Sequence, residues 1–140
     1  MKKQSILIIE SNYYSEISKD LLKGSLDVIR TEKINYKILT VPGSLEIPVV
    51  LEKYKRDFDG FVILGCVIRG ETSHYEVVQN INSNSIYKIV NKNKLALGYG
   101  LLTVENLDQA KERADPNRKN IGGKVTEVCL KMINIVKICR

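Results

Sequence analysis

Residues 60–68 read Gly60-Phe61-Val62-Ile63-Leu64-Gly65-Cys66-Val67-Ile68, a near-continuous apolar run. Such a run predicts a strand that is covered on both faces, as in a parallel sheet between two layers of helices. The segments on either side alternate between short β-branched runs and apolar residues at helical spacing. Four strands that alternate with five helices predict an α/β fold in which a four-stranded parallel sheet is flanked by helices.

The predicted strands cover residues 5–9, 34–41, 60–68 and 95–103. The predicted helices cover residues 15–29, 45–55, 73–91 and 105–114, and a fifth helix is expected to follow Gly122-Gly123. Pro48 is compatible with a helix only in its first turn, because it has no N–H to donate. No repeat or linker interrupts the pattern, so residues 1–140 are expected to form a single domain.

The composition is that of a soluble globular protein, with 44% hydrophobic and 27% charged residues. The net charge of +6 comes from dispersed cations rather than a basic block, which disfavours nucleic-acid binding. Cys66, Cys129 and Cys139 form no C-x-x-C pair and are interpreted as reduced, mostly buried thiols. We see no signal peptide and no membrane-spanning stretch, so a cytoplasmic location is expected.

The first predicted site follows the strand at 60–68, where a glycine turn opens onto a helix and leaves backbone N–H groups for an anion. Arg69, the hydroxyls of two neighbours and the only histidine, His74, lie in this turn. Ser73 and Glu76 have the spacing of a capping box. The positive end of the helix disfavours imidazolium, so we expect a neutral His74 at pH 7. The alternative is that this segment only ends a strand and caps a helix.

The other strand ends carry further candidates, because ligands of open parallel sheets bind beyond the carboxyl ends of the strands. Tyr13 is expected either to stack on a flat heterocycle or to seal a helix end together with Tyr14. The turn at 42–48 contains two prolines and a glycine, which fix backbone groups for the hydroxyls of a ligand. Residues 103–106 cap a short helix, and Arg113 at its end has the alternative role of a solvated cation.

Several catalytic classes have no support in this sequence. It contains no P-loop, G-x-G-x-x-G, H-E-x-x-H or G-x-S-x-G motif. Metal-dependent hydrolysis, dinucleotide binding and serine hydrolysis are therefore not expected. We predict no metal site and no cofactor.

Three segments carry a resemblance to a known family: VPGSLEIP at 41–48, GCVIRGETSHY at 65–75, and GLLTVENLDQA at 100–110 with Glu112-Arg113-Ala114. In this order and spacing they resemble the 6,7-dimethyl-8-ribityllumazine synthases of riboflavin biosynthesis, over essentially the whole chain. The resemblance implies a flavodoxin-like, three-layer αβα sandwich. It implies a transferase that condenses 5-amino-6-(D-ribitylamino)uracil with 3,4-dihydroxy-2-butanone 4-phosphate, without a cofactor. It also implies homopentamers, alone, paired as decamers or closed into icosahedral 60-mers, with sites between subunits.

The resemblance also assigns roles to individual residues. Tyr13 would stack on the pyrimidine ring, and His74 would transfer protons. Arg113 would reach the phosphate and Tyr99 would close the aromatic side, both from the adjacent subunit. Three segments complete the site. The ribityl chain would contact Ser44, Leu45 and Glu46, and the ring pocket would be lined by Cys66, Val67 and Ile68. The phosphate would bind at Gly70, Glu71 and Thr72.

Two positions depart from the family pattern. Ile121 stands where the family often has a lysine near the phosphate, and Leu45 stands where phenylalanine is common. We expect the loss of the cation to weaken phosphate binding and to raise the KM for the butanone phosphate. Two alternatives remain at this stage: a relative that binds a lumazine or flavin without turnover, and a flavodoxin-like receiver module. A receiver function has little support. It needs a cluster of acidic residues after the first strand, where Glu10 stands alone, and a phosphoacceptor aspartate at the end of the third strand, where Cys66 to Ile68 stand instead.

Overall fold

The computed structural model describes residues 4–69 and 75–138, excluding the side chain of residue 138. Four parallel strands form one sheet in the order β2-β1-β3-β4. The strands are β1 (Ser5–Ser11), β2 (Asn35–Val41), β3 (Gly60–Ile68) and β4 (Ala96–Val104). The helices are α1 (Ser15–Thr31), α2 (Ile47–Tyr54), α3 (Tyr75–Asn93), α4 (Leu107–Ala114) and α5 (Ile121–Ile138), with a 3-10 turn at Ser44–Glu46.

The two faces of the sheet have separate cores, because alternate residues of a strand point to opposite faces. Ile6 and Ile8 of β1 pack under α1, α4 and α5, whereas Leu7 and Ile9 pack under α2 and α3. Every residue of β3 is buried, as the apolar run at 60–68 predicts. The predicted α/β sandwich with a four-stranded parallel sheet is confirmed.

The last helix begins earlier than the sequence predicts. We expected it to follow Gly122-Gly123, but α5 starts at Ile121 and both glycines lie in its first turn. The side chain of Asn120 accepts a hydrogen bond from the N–H of Gly123 at 3.2 Å, which caps this end. Gly122 is required by packing rather than by chain termination, because a Cβ there would collide with the carbonyl of Leu21 in α1.

The predicted helix at 45–55 is divided into two parts. Residues 44–46 form the 3-10 turn, and α2 begins only at Ile47. Pro48 lies in the first turn of α2, as expected, where its missing N–H leaves no helical bond unmade. The 3-10 turn holds the hydroxyl of Ser44 3.3 Å from that of Ser11 at the end of β1.

Candidate functional site

A crevice opens where the strand order reverses. The chain leaves β1 for β2 on one side and then crosses to β3 on the other side of β1. Ligands of open parallel sheets bind in such a crevice. The pairing of β1 with β3 ends at Glu10 and Leu64, so residues 65–68 extend past the ladder. Within residues 4–69 and 75–138 no strand pairs with that edge, which leaves its backbone groups available to a ligand.

The crevice contains a cleft of about 250 Å³. It brings together predicted site residues from three strand ends that are far apart in the sequence. The lining residues are Tyr13, Tyr14, Gly43, Ser44, Leu45, Glu46, Cys66, Val67 and Val78.

Tyr13 forms an aromatic wall of the cleft. Its side chain is 73% exposed, and its ring meets that of Tyr14 edge to face with centroids 5.0 Å apart. Tyr14 is partly buried against the core at the start of α1 and supports the ring of Tyr13. An exposed ring with one supported edge can stack on a flat heterocycle.

The opposite wall is the 3-10 turn after β2. Within the turn, the N–H of Glu46 donates to the carbonyl of Gly43 at 3.2 Å, and the side chains of Leu45 and Glu46 are exposed. The hydroxyl of Ser44 is buried 3.3 Å from that of Ser11. Backbone and hydroxyl groups held in this way can bind a polyol.

The floor beneath the two hydroxyls is a glycine. A Cβ at Gly65 would collide with the hydroxyl of Ser11 and would lie 3.5 Å from that of Ser44. This position in β3 therefore needs a residue without a side chain, so that the turns after β1 and β2 can approach each other above the sheet.

A buried amide connects the turn to the rest of the sheet. Asn82 of α3 donates a hydrogen bond from its Nδ2 to the carbonyl of Ser44 and accepts one at Oδ1 from the hydroxyl of Tyr99, at 2.6 Å. Tyr99 meets Tyr87 edge to face at 5.4 Å and does not line the cleft of its own chain. Burial raises the pKa of Tyr99 well above its usual range, so the phenol stays protonated and remains a donor.

Cys66 closes the base of the cleft. It is 7% exposed, and burial raises the pKa of its thiol to about 12. A neutral thiol is a poor nucleophile, so Cys66 can shape the cleft but is unsuited to covalent catalysis at neutral pH. The adjacent Val67 also lines the cleft, whereas Ile68 does not and is buried in the core under α1, α4 and α5.

Arg69 is engaged by two carboxylates. Its guanidinium lies 3.0 Å from Glu76 and 3.3 Å from Glu105, and 5.7 Å from the ring centre of Tyr75. Glu76 thus has a partner other than a capping serine. All three charged side chains are more than half exposed, so each pair adds at most about 1 kcal/mol to stability.

The remaining predicted residues lie elsewhere. Gly70, Glu71, Thr72, Ser73 and His74 fall outside the described residues. Arg113 is in the last turn of α4 and does not line the cleft. As expected, residues 103–106 lead into a capped helix, since Asn106 accepts a hydrogen bond from the N–H of Gln109 at 2.9 Å.

The sequence did not indicate Val78 or Asn82. Val78 lies among many apolar residues of α3, and nothing in its spacing distinguishes a lining residue from a core residue. From the sequence, Asn82 would be interpreted as a solvated polar residue of α3. Only the tertiary fold brings it between Ser44 and Tyr99.

Among residues 4–69 and 75–138, no three His, Cys, Asp or Glu side chains are grouped as metal ligands would be. No described helix combines the length and apolar character needed to cross a bilayer.

Comparison with known proteins matches this chain to one family over nearly its whole length. The sequence profile described as 6,7-dimethyl-8-ribityllumazine synthase matches residues 3–137. The chain is 45% identical to a protein of that name from Bartonella tribocorum, over 97% of this chain and 92% of the relative. It is 43% identical to one from Bartonella bacilliformis, covering 94% and 90% of the two chains. It is 37% identical to one from Erythrobacter litoralis, covering 92% and 93%.

Proposed function

The chain belongs to the 6,7-dimethyl-8-ribityllumazine synthase family, and we propose that the crevice between β1 and β3 is its catalytic site. Enzymes of this family are transferases of riboflavin biosynthesis. They condense 5-amino-6-(D-ribitylamino)uracil with 3,4-dihydroxy-2-butanone 4-phosphate to give the lumazine, phosphate and water. One observation carries the proposal. Tyr13, Ser44 and Cys66 line the same cleft, and this cleft lies where the order of the strands in the sheet reverses.

The pyrimidine ring is assigned to the space beside Tyr13. Stacking on the exposed Tyr13 ring would hold the heterocycle, and the unpaired edge at 65–68 would offer backbone hydrogen bonds to its carbonyl and N–H groups. Cys66, Val67 and Ile68 contribute through the backbone in this arrangement. The side chain of Ile68 serves the core instead.

The ribityl chain is assigned to the turn at 44–46. Ser44, Leu45 and Glu46 present backbone groups, a hydroxyl and a carboxylate on one wall of the cleft. Leu45 is 44% exposed, so it provides an apolar surface without the area of an aromatic ring.

The phosphate and the proton transfers are assigned to residues 70–74 and to an adjacent subunit. Gly70, Glu71 and Thr72 would bind the phosphate at the start of α3, and His74 would transfer protons beside it. Arg69 is already paired with two carboxylates, which supports Arg113 of an adjacent subunit as the phosphate cation.

The chemistry needs no nucleophile from the protein. The amine of the pyrimidine attacks the ketone, an imine forms with loss of water, phosphate is eliminated, and ring closure releases a second water. The neutral thiol of Cys66 fits this scheme, because it would not compete for the electrophile. Juxtaposition of the two substrates supplies much of the rate, and His74 adds general acid–base catalysis.

Self-association into homopentamers, alone, paired or closed into a 60-mer, is part of the proposal. Val49 of α2 and Val77 and Ile81 of α3 are large apolar residues that are about half exposed or more. Burial of such a surface against a second copy would favour assembly. Tyr99 and Arg113 do not line the cleft of their own chain, which supports their use by a neighbour.

The buried free thiols Cys66 and Cys129 support a reducing, cytoplasmic location.

Mixing the two substrates with the purified protein tests the activity. The proposal expects growth of lumazine fluorescence that depends on both substrates. His74→Asn should slow turnover by about 100-fold without abolishing it, because positioning of the substrates remains. Binding of the lumazine without turnover would favour the non-catalytic alternative and would refute this function.

A further inference from the structure

We infer that Asn82 is a positioning residue that fixes the ribityl-binding turn, and this inference rests on the proposed function. Asn82 is fully buried in the middle of α3. The same helix buries Ile86 and Val90 in the core under this face of the sheet. A buried amide needs hydrogen-bond partners for its donor and acceptor groups. The identity of these partners therefore indicates which elements Asn82 connects.

The two partners of Asn82 belong to different elements. Its Nδ2 donates to the carbonyl of Ser44 in the 3-10 turn, and its Oδ1 accepts from the hydroxyl of Tyr99 in β4. Asn82 therefore ties the turn both to a long helix and to the sheet. We call this chain of hydrogen bonds, Tyr99 to Asn82 to Ser44, the amide relay.

The turn needs such an anchor. A single 3-10 turn has poor hydrogen-bond geometry and little stability of its own. Here two backbone bonds hold it, from the N–H of Glu46 to the carbonyl of Gly43 at 3.2 Å and from the N–H of Ile47 to the carbonyl of Ser44. Leu45 and Glu46 have exposed side chains and cannot hold the turn by burial. The amide relay instead holds Ser44, the first residue of the turn, through its carbonyl.

The hydroxyl of Tyr99 sets the direction of the amide. Because it donates to Oδ1, the Nδ2 of Asn82 must face the Ser44 carbonyl. Burial raises the pKa of Tyr99, so the donor persists across the neutral range. An apolar side chain at position 82 could fill the same space, but it would leave the Ser44 carbonyl with only the backbone bond from Ile47, and the turn would lose its connection to α3 and β4. A shift of the turn would affect the polyol and not the phosphate.

Three variants test this inference: Asn82→Leu breaks both bonds of the relay, Tyr99→Phe removes only the hydroxyl, and Tyr87→Phe is the control. Tyr87→Phe removes a tyrosine hydroxyl outside the relay and keeps the ring contact with Tyr99. The KM and Kd for 5-amino-6-(D-ribitylamino)uracil should rise about tenfold in Asn82→Leu and about threefold in Tyr99→Phe. In Asn82→Leu the KM for the butanone phosphate and kcat should stay within about twofold of wild type, and Tyr87→Phe should match wild type.

The outcomes separate this inference from the proposed function. A wild-type protein without turnover would overturn the proposed function, while the Kd comparison would still test the relay. If Asn82→Leu does not fold, Tyr99→Phe carries the test, because it deletes only the hydroxyl that donates to Asn82 and keeps the ring that is assigned to the adjacent subunit's site. Variants that lose stability but keep the wild-type KM and Kd for the pyrimidine would show that Asn82 is only structural, and would overturn the inference.

Discussion

On the sheet face under α1, α4 and α5 two long helices are in close contact, whereas on the face under α2 and α3 neighbouring apolar side chains of α3 are half exposed. On the first face α5 approaches α1 so closely that only glycine fits at position 122. Ser25 and Thr126 are fully buried there and share a hydrogen bond of 2.6 Å. On the second face Val77 and Ile81 stand one helical turn apart on α3, both about half exposed.

Under the proposed function, the face under α2 and α3 is the one that we assign to assembly. Val128 and Ile135 of α5 are also half exposed, and between them on the helix surface lie the exposed Lys131 and the partly buried Met132. We call the two surfaces the closed face (under α1, α4 and α5) and the open face (under α2 and α3). The open face also carries the buried amide that holds the turn of the cleft.

A cavity in the closed face should produce the largest loss of stability. Leu21 is fully buried on α1 in that core. Leu21→Ala should lower the free energy of unfolding by about 2–5 kcal/mol, because it removes buried methyl groups and leaves a cavity. Denaturant titration measures this, with Val128→Ala on the exposed side of α5 as the control. A loss below about 1 kcal/mol would contradict the tight packing of Leu21 in the closed-face core.

A charge on the open face should break assembly while sparing the fold. Ile81→Asp places a carboxylate in the proposed subunit interface, where its desolvation is costly. We expect a mass near that of the monomer by light scattering and at least a tenfold loss of activity, with a normal circular dichroism spectrum. Ile135→Asp on α5 is the matched control. Unchanged mass for Ile81→Asp would place the interface elsewhere.

Restoring a cation at the start of α5 should have a kinetic effect of moderate size. Ile121 is partly buried against the closed-face core. At this position the resemblance led us to expect a lysine near the phosphate. Ile121→Lys should lower the KM for the butanone phosphate by about threefold to tenfold, because a cation near a phosphate adds a charge-assisted contact. The KM for the pyrimidine should not change. An unaltered KM for the butanone phosphate would refute the expectation of weakened phosphate binding.

The smallest effect concerns pH. Cys129 is fully buried on the closed face, and burial raises the pKa of its thiol to about 12. The unfolded thiol loses its proton near pH 9, so this stabilising contribution is complete below pH 9 and declines as pH rises toward 12. Between pH 9 and 10 the wild type should lose up to about 1 kcal/mol more than Cys129→Ala. Equal slopes in the two proteins would contradict a buried, neutral thiol.

The sequence predicted the sheet and the parts of the site that follow from strand ends. The apolar run at 60–68 indicated a strand covered on both faces, and the turn at 42–48 indicated fixed backbone groups; the structure brings both to one crevice. The start of α5 was missed because a glycine pair normally signals the end of a helix, whereas here Gly122 permits contact with Leu21. Asn82 was missed because its partners are distant in sequence.

The central claim is that each catalytic site joins the cleft of one chain to Arg113 of the next. Two inactive proteins test it: Tyr13→Ala/Glu46→Ala, which damages the cleft, and Arg113→Glu, which damages the contribution to the neighbour. Co-expressed in equal amounts with different tags, they should form mixed assemblies with about a quarter of wild-type activity, since one adjacent pair in four joins two intact halves. Mixed assemblies that are as inactive as either variant alone would contradict the claim.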